Sequence, residues 1–173
     1  MKTLKELRNR DFQIQEVASS IKYFKANNID WDVYLPTKGK NLQRDYVWTL
    51  EQKRELIWSV LLERHIPHVA LINTIDRENP MKDLCLVIDG KQRLSTLFDF
   101  TDDKFTLEID GKEYLFSELP DDYQGGINRF YFRYYVVNEP WDDRITDEQK
   151  IRWFKLINFA GTPQDSEHLK GLE

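Results

Sequence analysis

Hydrophobic residues recur at helical spacing in two segments of the first part of the chain. Val17, Ile21 and Phe24 lie three or four residues apart, and this spacing predicts a helix over Glu16–Asn27. Residues 49–52, Thr-Leu-Glu-Gln, have the form of a capping box, in which two polar side chains satisfy free N–H groups at a helix start. Apolar residues follow at helical spacing, so a second helix is predicted to begin there.

Two later segments, residues 68–72 and 84–88, are almost entirely apolar instead of alternating with polar residues. A strand that packs against a layer on each of its faces has no polar side, so both segments are predicted to be central strands of a sheet. Further strand-like stretches are an extended piece at Trp31–Pro36, a hairpin of Phe105–Ile109 and Tyr114–Phe116 around Asp110-Gly111, and a strand at Phe130–Val137.

Three more helices are predicted, over residues 90–100, from a second capping box at residues 146–149, and from Thr162-Pro163 onward. Because strands and helices interleave while hairpins intrude, the predicted fold class is α+β, with a small mixed sheet and surrounding helices. The length of 173 residues is that of one domain, which is predicted to span residues 1–173.

The amino-acid composition indicates the cellular compartment of the protein. The single cysteine, Cys85, lies in an apolar run and cannot form an internal disulfide, which is typical of a reducing compartment. No stretch approaches the roughly 18 apolar residues of a membrane span, and the charged N-terminus has no apolar signal core, so we expect a cytoplasmic protein without a membrane partner. The net charge of -5 argues against binding nucleic acid through bulk electrostatics and leaves a local basic cleft open.

The run Asp-Gly-Lys-Gln-Arg stands where the second apolar segment turns into a predicted helix, and it has two interpretations. In the first, Asp89 caps the helix, Gly90 eases the turn and Gln92 reaches back to the cap. In the second, free N–H groups and the helix dipole attract a phosphate, to which Lys91 and Arg93 add positive charge. Gln92 would then orient a water molecule, and Asp89 would hold a divalent cation.

A pair of histidines also has two interpretations. His65 and His68 have a spacing seen in metal sites, but Pro67 between them breaks helical geometry and no further ligand pair is near in sequence. A position at the end of a helix explains them equally well.

Aromatic residues could either stack on bases, as in proteins that bind single strands, or pack in the core. The candidates are Trp48, Trp58 and the run from Phe130 to Tyr135. In a strand, alternation would place Tyr131, Arg133 and Tyr135 on one face, which predicts a partly exposed surface there.

Three ordered segments carry a resemblance to a known family. They are Asn41–Trp48, which contains Gln-Arg and Tyr-x-Trp, then Ile66–Val69, which begins Ile-Pro, and finally Asp89–Arg93. In this order they resemble the ParB/sulfiredoxin-like superfamily, in the branch that carries an Asp-Gly-Gln-Gln-Arg box after a strand. The resemblance covers roughly residues 30–100, and residues 158–163 resemble a weaker family element.

This resemblance implies an α+β fold with a nucleotide pocket and a role in bacterial or phage defence, notably in modification-dependent restriction systems. The box in that branch is associated with nucleoside triphosphate hydrolysis that licenses DNA cleavage. Carried over by position, the catalytic residues would be Asp89, Gln92 and Arg93, with Mg²⁺ held at Asp89. The phosphate-binding residues would be Gln43, Arg44, Gly90, Lys91 and Arg93. Lys91 departs from the pattern because it replaces the first Gln of the box.

The leading hypothesis is therefore a domain that binds and hydrolyses a nucleoside triphosphate, linked to DNA restriction. The alternative is a regulatory module without catalysis that binds DNA or protein and retains the phosphate pocket. Members of the branch usually carry a nuclease domain, and no such motif is recognised here. This predicts a stand-alone regulator, a fragment, or a chain that works with a nuclease subunit or with further copies of itself.

Overall fold

A mixed sheet of five strands organises the part of the chain that the computed structural model describes, which comprises residues 13–76, 79, 83–140 and 142–159. The strands are β1 (Gln15–Ser20), β2 (Ile29–Asp30), β3 (Tyr34–Leu35), β4 (Lys40–Asn41), β5 (Val69–Ile75), β6 (Asp83–Asp89), β7 (Leu107–Ile109), β8 (Lys112–Tyr114) and β9 (Tyr131–Asn138). The helices are α1 (Ile21–Phe24), α2 (Leu50–Leu61), α3 (Lys91–Thr101), α4 (Asp121–Arg129) and α5 (Asp147–Phe159), with a 3-10 turn at Phe116–Glu118.

The five strands have the order β1-β9-β5-β6-β2, while β3-β4 and β7-β8 form separate hairpins. The pairs β9-β5 and β2-β6 are parallel, and the pairs β1-β9 and β5-β6 are antiparallel. The predicted α+β class with a small mixed sheet is confirmed.

Strands β5 and β6 pack against a hydrophobic cluster on each face of the sheet. Val69, Leu71 and Val87 belong to a cluster that includes residues of α2 and α3. Ala70 and Ile88 belong to a second cluster, which includes residues of α5. Because side chains alternate between the faces of a strand, two covered faces require apolar residues at every position. The prediction of two central strands is therefore confirmed.

The predicted helix over Glu16–Asn27 is wrong in its first half. Residues 15–20 form the edge strand β1, which pairs antiparallel with β9, and only the four residues of α1 are helical. Val17 lies opposite Tyr134 and is partly buried against the hydrophobic core. Positions 17 and 21 are four residues apart, a spacing that shares one face in a strand as well as in a helix, so the pattern could not separate the two.

Most of the other predicted elements are present. Thr49 and Thr146 each accept a hydrogen bond at a helix start and are each contacted in return by the glutamine three residues later. The hairpin β7-β8 turns at Asp110-Gly111 as predicted. Helix α4 was not predicted, because Gly125-Gly126 gives its sequence a low helix propensity. The helix predicted from Thr162 lies outside the described residues.

Within the described ranges, no helix combines the length and the hydropathy that crossing a bilayer requires.

Candidate functional site

The turn between β6 and α3 depends on glycine. Gly90 has φ of +97°, in the left-handed region that glycine adopts without strain. A Cβ at this position would lie 2.9 Å from Cγ2 of Val69, so the turn also brings the backbone close to β5. The expectation that Asp89 caps the helix is wrong: Gly90 is the N-cap, and no side chain caps α3. The first N–H groups of α3 thus lack the side-chain acceptor that a capped helix would have.

Gln43 holds the end of β6 in place. The pairing of β5 with β6 shifts register between Ala70 and Leu71, which lie opposite Asp89 and Val87, so Ile88 is an extra residue in β6. Gln43 is buried, and its Nε2 donates a hydrogen bond to the carbonyl oxygen of Val87 at 3.1 Å and another to that of Ile88. The segment that follows Gln43 is thereby fixed beside the start of α3.

Gln92 fixes the same segment from the other side. Its Oε1 accepts hydrogen bonds from the backbone N–H groups of Val47 at 3.0 Å and Trp48 at 3.3 Å. Its Nε2 donates to the carbonyl oxygen of Asp45 at 3.0 Å. Both polar atoms of this buried amide are therefore engaged with backbone, and Trp48 is held against α3.

Tyr46, in the same segment, adds a further tie to α3. Its hydroxyl lies 2.6 Å from Oγ1 of the buried Thr96. Burial raises the pKa of Tyr46, and the hydrogen bond to Thr96 opposes this shift. The phenol therefore stays neutral at physiological pH.

Arg93 and Asp89 form an ion pair one helical turn apart. Arg93 Nη2 donates to Asp89 Oδ2 at 2.8 Å and to the carbonyl oxygen of His68 at 3.1 Å. Arg93 Nε is buried and makes no hydrogen bond with the described residues. Oδ1 of Asp89 likewise makes no hydrogen bond within the described ranges, so one carboxylate oxygen is available to a ligand.

The other two predicted phosphate-binding cations differ in their surroundings. Lys91 is buried, and its Nζ lies 2.5 Å from Oδ1 of Asp32, a carboxylate that is half exposed. Arg44 is half-buried and forms no salt bridge with the described part of the chain. Asp32 was not singled out in the sequence, because the contact joins the segment before β3 to α3 and has no local signature.

The three family segments meet at a cavity of about 360 Å³, which we call the Trp48 cavity. Its lining includes Trp48 from the first segment, Ile66 and Pro67 from the second, and Arg93 from the third, together with His65 and one face of α2. The other predicted site residues are not among the described residues that line it: Gln43, Arg44, Asp89, Gly90, Lys91 and Gln92. The structure thus brings Arg93 into the cavity and places the other predicted residues around its supporting turn.

A smaller cavity of about 170 Å³, which we call the Tyr131 cavity, lies on the other side of the Ile66-Pro67 segment. It shares His65, Pro67 and Arg93 with the Trp48 cavity and extends to Tyr131 and Arg133 of β9. Arg93 is therefore common to two neighbouring cavities.

The histidine pair does not form a metal site in the described part of the chain. His68 Nε2 lies 3.3 Å from Oε1 of Glu16, and its ring stacks on Tyr135 with centroids 4.7 Å apart. No group of three or more His, Cys, Asp or Glu side chains suited to a metal ion occurs among the described residues. A Mg²⁺ ion at Asp89 would fit only as part of a nucleotide complex, in which phosphates and waters supply the remaining ligands.

Comparison with known protein families assigns the chain to a family, which the geometry of the site alone does not do. The family described as "GmrSD restriction endonuclease, N-terminal domain" matches residues 20–170 of the chain. Comparison with curated proteins and with solved structures gives no match.

Proposed function

The chain belongs to the family of GmrSD restriction endonuclease N-terminal domains, and on this premise we propose that it binds a nucleoside triphosphate in the Trp48 cavity and hydrolyses it slowly. Family membership connects the chain with DNA restriction. The nucleotide, its hydrolysis and the ParB/sulfiredoxin-like scaffold are our inferences, which rest on the three ordered segments and on where their side chains lie.

The observation that carries the proposal is the convergence of those segments on one cavity. Its volume of about 360 Å³ is within the range of small-molecule sites, roughly 300–1,000 Å³. Trp48 offers an aromatic surface for a base, and Arg93 offers a planar fork that matches phosphate oxygens. The lining therefore has an apolar part that suits a base and a cation that suits phosphates, together with one carboxylate, Glu55, on the α2 side.

The proposed reaction is attack of water on the terminal phosphorus. The phosphoanhydride bond breaks, the leaving oxygen stays with the nucleoside diphosphate, and inorganic phosphate and a proton are released. Arg93 would neutralise charge on the phosphates, and the uncapped start of α3 would contribute N–H donors. Mg²⁺ would supply further charge neutralisation when it is bound with the nucleotide. Asp89, to which the resemblance assigns the metal, would offer Oδ1 from beside the cavity, since it pairs with Arg93 but is not itself among the described lining residues.

A second candidate function, binding without turnover, is favoured by the state of Gln92. Its Oε1 accepts two hydrogen bonds and its Nε2 donates one, and all three go to the backbone of residues 45–48. It could orient a water molecule only if that segment moved. Lys91, which replaces a glutamine of the box, is itself engaged by Asp32. The protein would then be a regulatory module that senses the nucleotide.

One experiment separates these functions. The protein is incubated with each of the common nucleoside triphosphates and Mg²⁺, and both binding and phosphate release are measured. We expect binding and slow release, and we expect Arg93→Ala to weaken binding by about tenfold or more, since hydrogen bonds to a charged group contribute about 1.5–3 kcal/mol. Binding without release identifies the regulatory module, and the absence of any binding overturns both functions.

Arg93→Ala also leaves Asp89 without its partner, so loss of stability must be separated from loss of binding. The double variant Asp89→Asn/Arg93→Gln removes both charges together and retains a polar side chain at each position. Trp48→Ala removes the proposed base platform without touching the ion pair. If Trp48→Ala and the double variant are folded and both bind nucleotide as the wild type does, the Trp48 cavity is not the site.

Lys91→Gln tests why turnover should be slow. We expect it to raise phosphate release while binding stays within about twofold, because it restores the residue type of the box and the lost partner, Asp32, is half exposed. Asp32→Asn is the matched control, since it breaks the same ion pair and retains the lysine. Equal effects of the two substitutions would assign any change to the ion pair and not to the identity of residue 91.

A further inference from the structure

The first five residues of β9, Tyr131–Tyr135, present aromatic and cationic side chains to solvent. Tyr131 is 64% exposed and Tyr135 is 37% exposed, while Arg133 between them extends from the same face of the strand. This confirms the exposure expected from the alternation of the sequence. Further along β9, Val137 on the same face is buried in the cluster that includes α5, so the helix layer covers only part of this face. We call Tyr131, Arg133 and Tyr135 the Tyr131 face.

The Tyr131 face begins at the same end of the sheet as the candidate nucleotide site. Strand β9 runs parallel to β5, with Tyr134 opposite Val69, and β6 runs antiparallel to β5 and ends with Asp89 opposite Ala70. The start of β9 and the end of β6 are thus two strands apart, about 10 Å, since neighbouring strands are about 4.8 Å apart. The Tyr131 cavity occupies this position.

The lining of the Tyr131 cavity is cationic. It includes three arginines and two histidines, and no Asp or Glu is among its described lining residues. The five are Arg64, His65, His68, Arg93 and Arg133. In a chain of net charge -5, this lining concentrates three guanidinium groups on one small surface. Each of them is paired with a carboxylate outside the lining: Arg64 with Glu55, Arg93 with Asp89 and Arg133 with Glu16.

Glu16 is the carboxylate that pairs with Arg133 of the Tyr131 face. Its Oε1 lies 2.9 Å from Arg133 Nη1 and 3.3 Å from His68 Nε2. The hydrogen bonds from Arg133 and then from His68 lower the pKa of Glu16, so it is ionised at neutral pH. Glu16 lies on the exposed edge strand β1, where an arriving phosphate can take its place.

We propose that the Tyr131 face and the Tyr131 cavity bind single-stranded DNA, with a base stacked on Tyr131 and backbone phosphates on Arg133 and the neighbouring cations. Exposed aromatics interleaved with cations suit unstacked bases, whose faces a duplex conceals. The inference rests on the part of the proposed function that concerns DNA restriction. Arg93 lines both cavities, but Tyr131 and Arg133 do not line the Trp48 cavity, so their substitution tests DNA binding separately from nucleotide hydrolysis.

The test measures fluorescence anisotropy of a labelled DNA strand of about 12 nucleotides, a length within the usual range of such sites, with the full chain and at several salt concentrations. We expect salt-dependent binding that is tighter for the single strand than for a duplex or an RNA of the same sequence. Tyr131→Ala should weaken binding on the order of tenfold, whereas Tyr131→Phe retains it. Arg133→Gln should reduce the slope of log affinity against log salt by about 0.7.

Glu16→Gln should change the affinity for the DNA strand in the opposite direction. Because it removes the competing carboxylate, it should tighten binding, an outcome that damage to the fold would not produce. Tyr34→Ala and Arg152→Gln are the matched controls, since both residues are exposed and lie outside the Tyr131 face and cavity. Effects of Tyr131→Ala and Arg133→Gln no larger than those of the controls, or weaker binding by Glu16→Gln, would overturn the proposal.

Two further outcomes distinguish this inference from the proposed function. If the chain binds and hydrolyses a nucleoside triphosphate but binds no DNA strand, only the Tyr131 face proposal fails. If it binds the strand through Tyr131 and no nucleotide at all, only the Trp48 cavity proposal fails. Preference for duplex or RNA over the single DNA strand also overturns the inference.

Discussion

Position 90 requires both a positive φ and the absence of a Cβ, and only glycine meets both requirements. Its φ of +97° would cost a residue with a Cβ about 1–2 kcal/mol, and the nearest carbon of Val69 would be only 2.9 Å from that Cβ. We expect Gly90→Ala to lower the free energy of unfolding by about 2–4 kcal/mol, as strain and overpacking add. Urea denaturation measures this loss.

Gly39→Ala separates the two causes. Gly39 also has a positive φ, +65°, but a Cβ there would meet nothing within 4 Å, so only the backbone strain applies. A loss of about 1–2 kcal/mol is expected for it. Equal losses at Gly39 and Gly90 would show that the approach to Val69 does not matter.

At the scale of single residues, the sequence indicates which residues belong to the turn better than it predicts the contacts that their side chains make. Gly90 was expected to ease a turn, and it does. The amides of Gln43 and Gln92 were expected to face phosphate and water, yet the structure directs them to backbone groups. Those partners come from segments about 45 residues away in the chain. A register shift in the sheet leaves some backbone carbonyl groups without a donor, and no local sequence pattern indicates which groups these are.

At the scale of elements, segments with an unambiguous pattern or turn signal were predicted correctly, and segments with an ambiguous or weak pattern were not. Helices α2 and α3 and strands β5 and β6 each carry a pattern that only one element type explains. Strand β1 instead has a spacing compatible with helix or strand, and its pairing with β9 decides between them. The two residues of β2 are too few to show any period.

The end of β6 offers a prediction at this scale, because the register shift there depends on a side chain from outside the sheet. Gln43→Leu retains the volume but leaves the buried carbonyl groups of Val87 and Ile88 without their donor. We expect a loss of about 2–4 kcal/mol in the free energy of unfolding, since each unsatisfied group costs about 1–3 kcal/mol. Gln15→Leu, at an exposed glutamine of β1, should change it by no more than about 0.5 kcal/mol. A similar small effect at Gln43 would mean that water or another group replaces its amide.

At the scale of the whole molecule, the arrangement of layers explains why the candidate site lies where it does. A sheet covered on both faces over β5 and β6 has exposed surface only at its strand ends and over its outer strands. The Trp48 cavity and the Tyr131 cavity both lie at the strand end where α3 begins, and the Tyr131 face lies on β9, next to the edge strand β1. The sequence predicted the two-sided core from its apolar runs, but it could not predict that Arg93 would line both cavities, which requires the crossing of three separate segments.

The same two-sided core makes the stability of the protein sensitive to alkaline pH through Cys85. Burial raises the pKa of this thiol from 9.0 to about 12, so above pH 9 the unfolded chain loses a proton that the folded protein retains. The resulting stability is complete below pH 9 and is lost as pH rises towards 12. Between pH 9 and pH 10, the free energy of unfolding of the wild type should therefore fall by about 1 kcal/mol more than that of Cys85→Ala. Urea denaturation of the two proteins at each pH measures the difference, from which the lysine and tyrosine titrations that both proteins share cancel. Tyr134 is the exception, since burial and then the neighbouring Cys85 raise its pKa. A constant difference across this interval would show that the thiol ionises without unfolding, and a thiol reagent would then react with Cys85 in the folded protein.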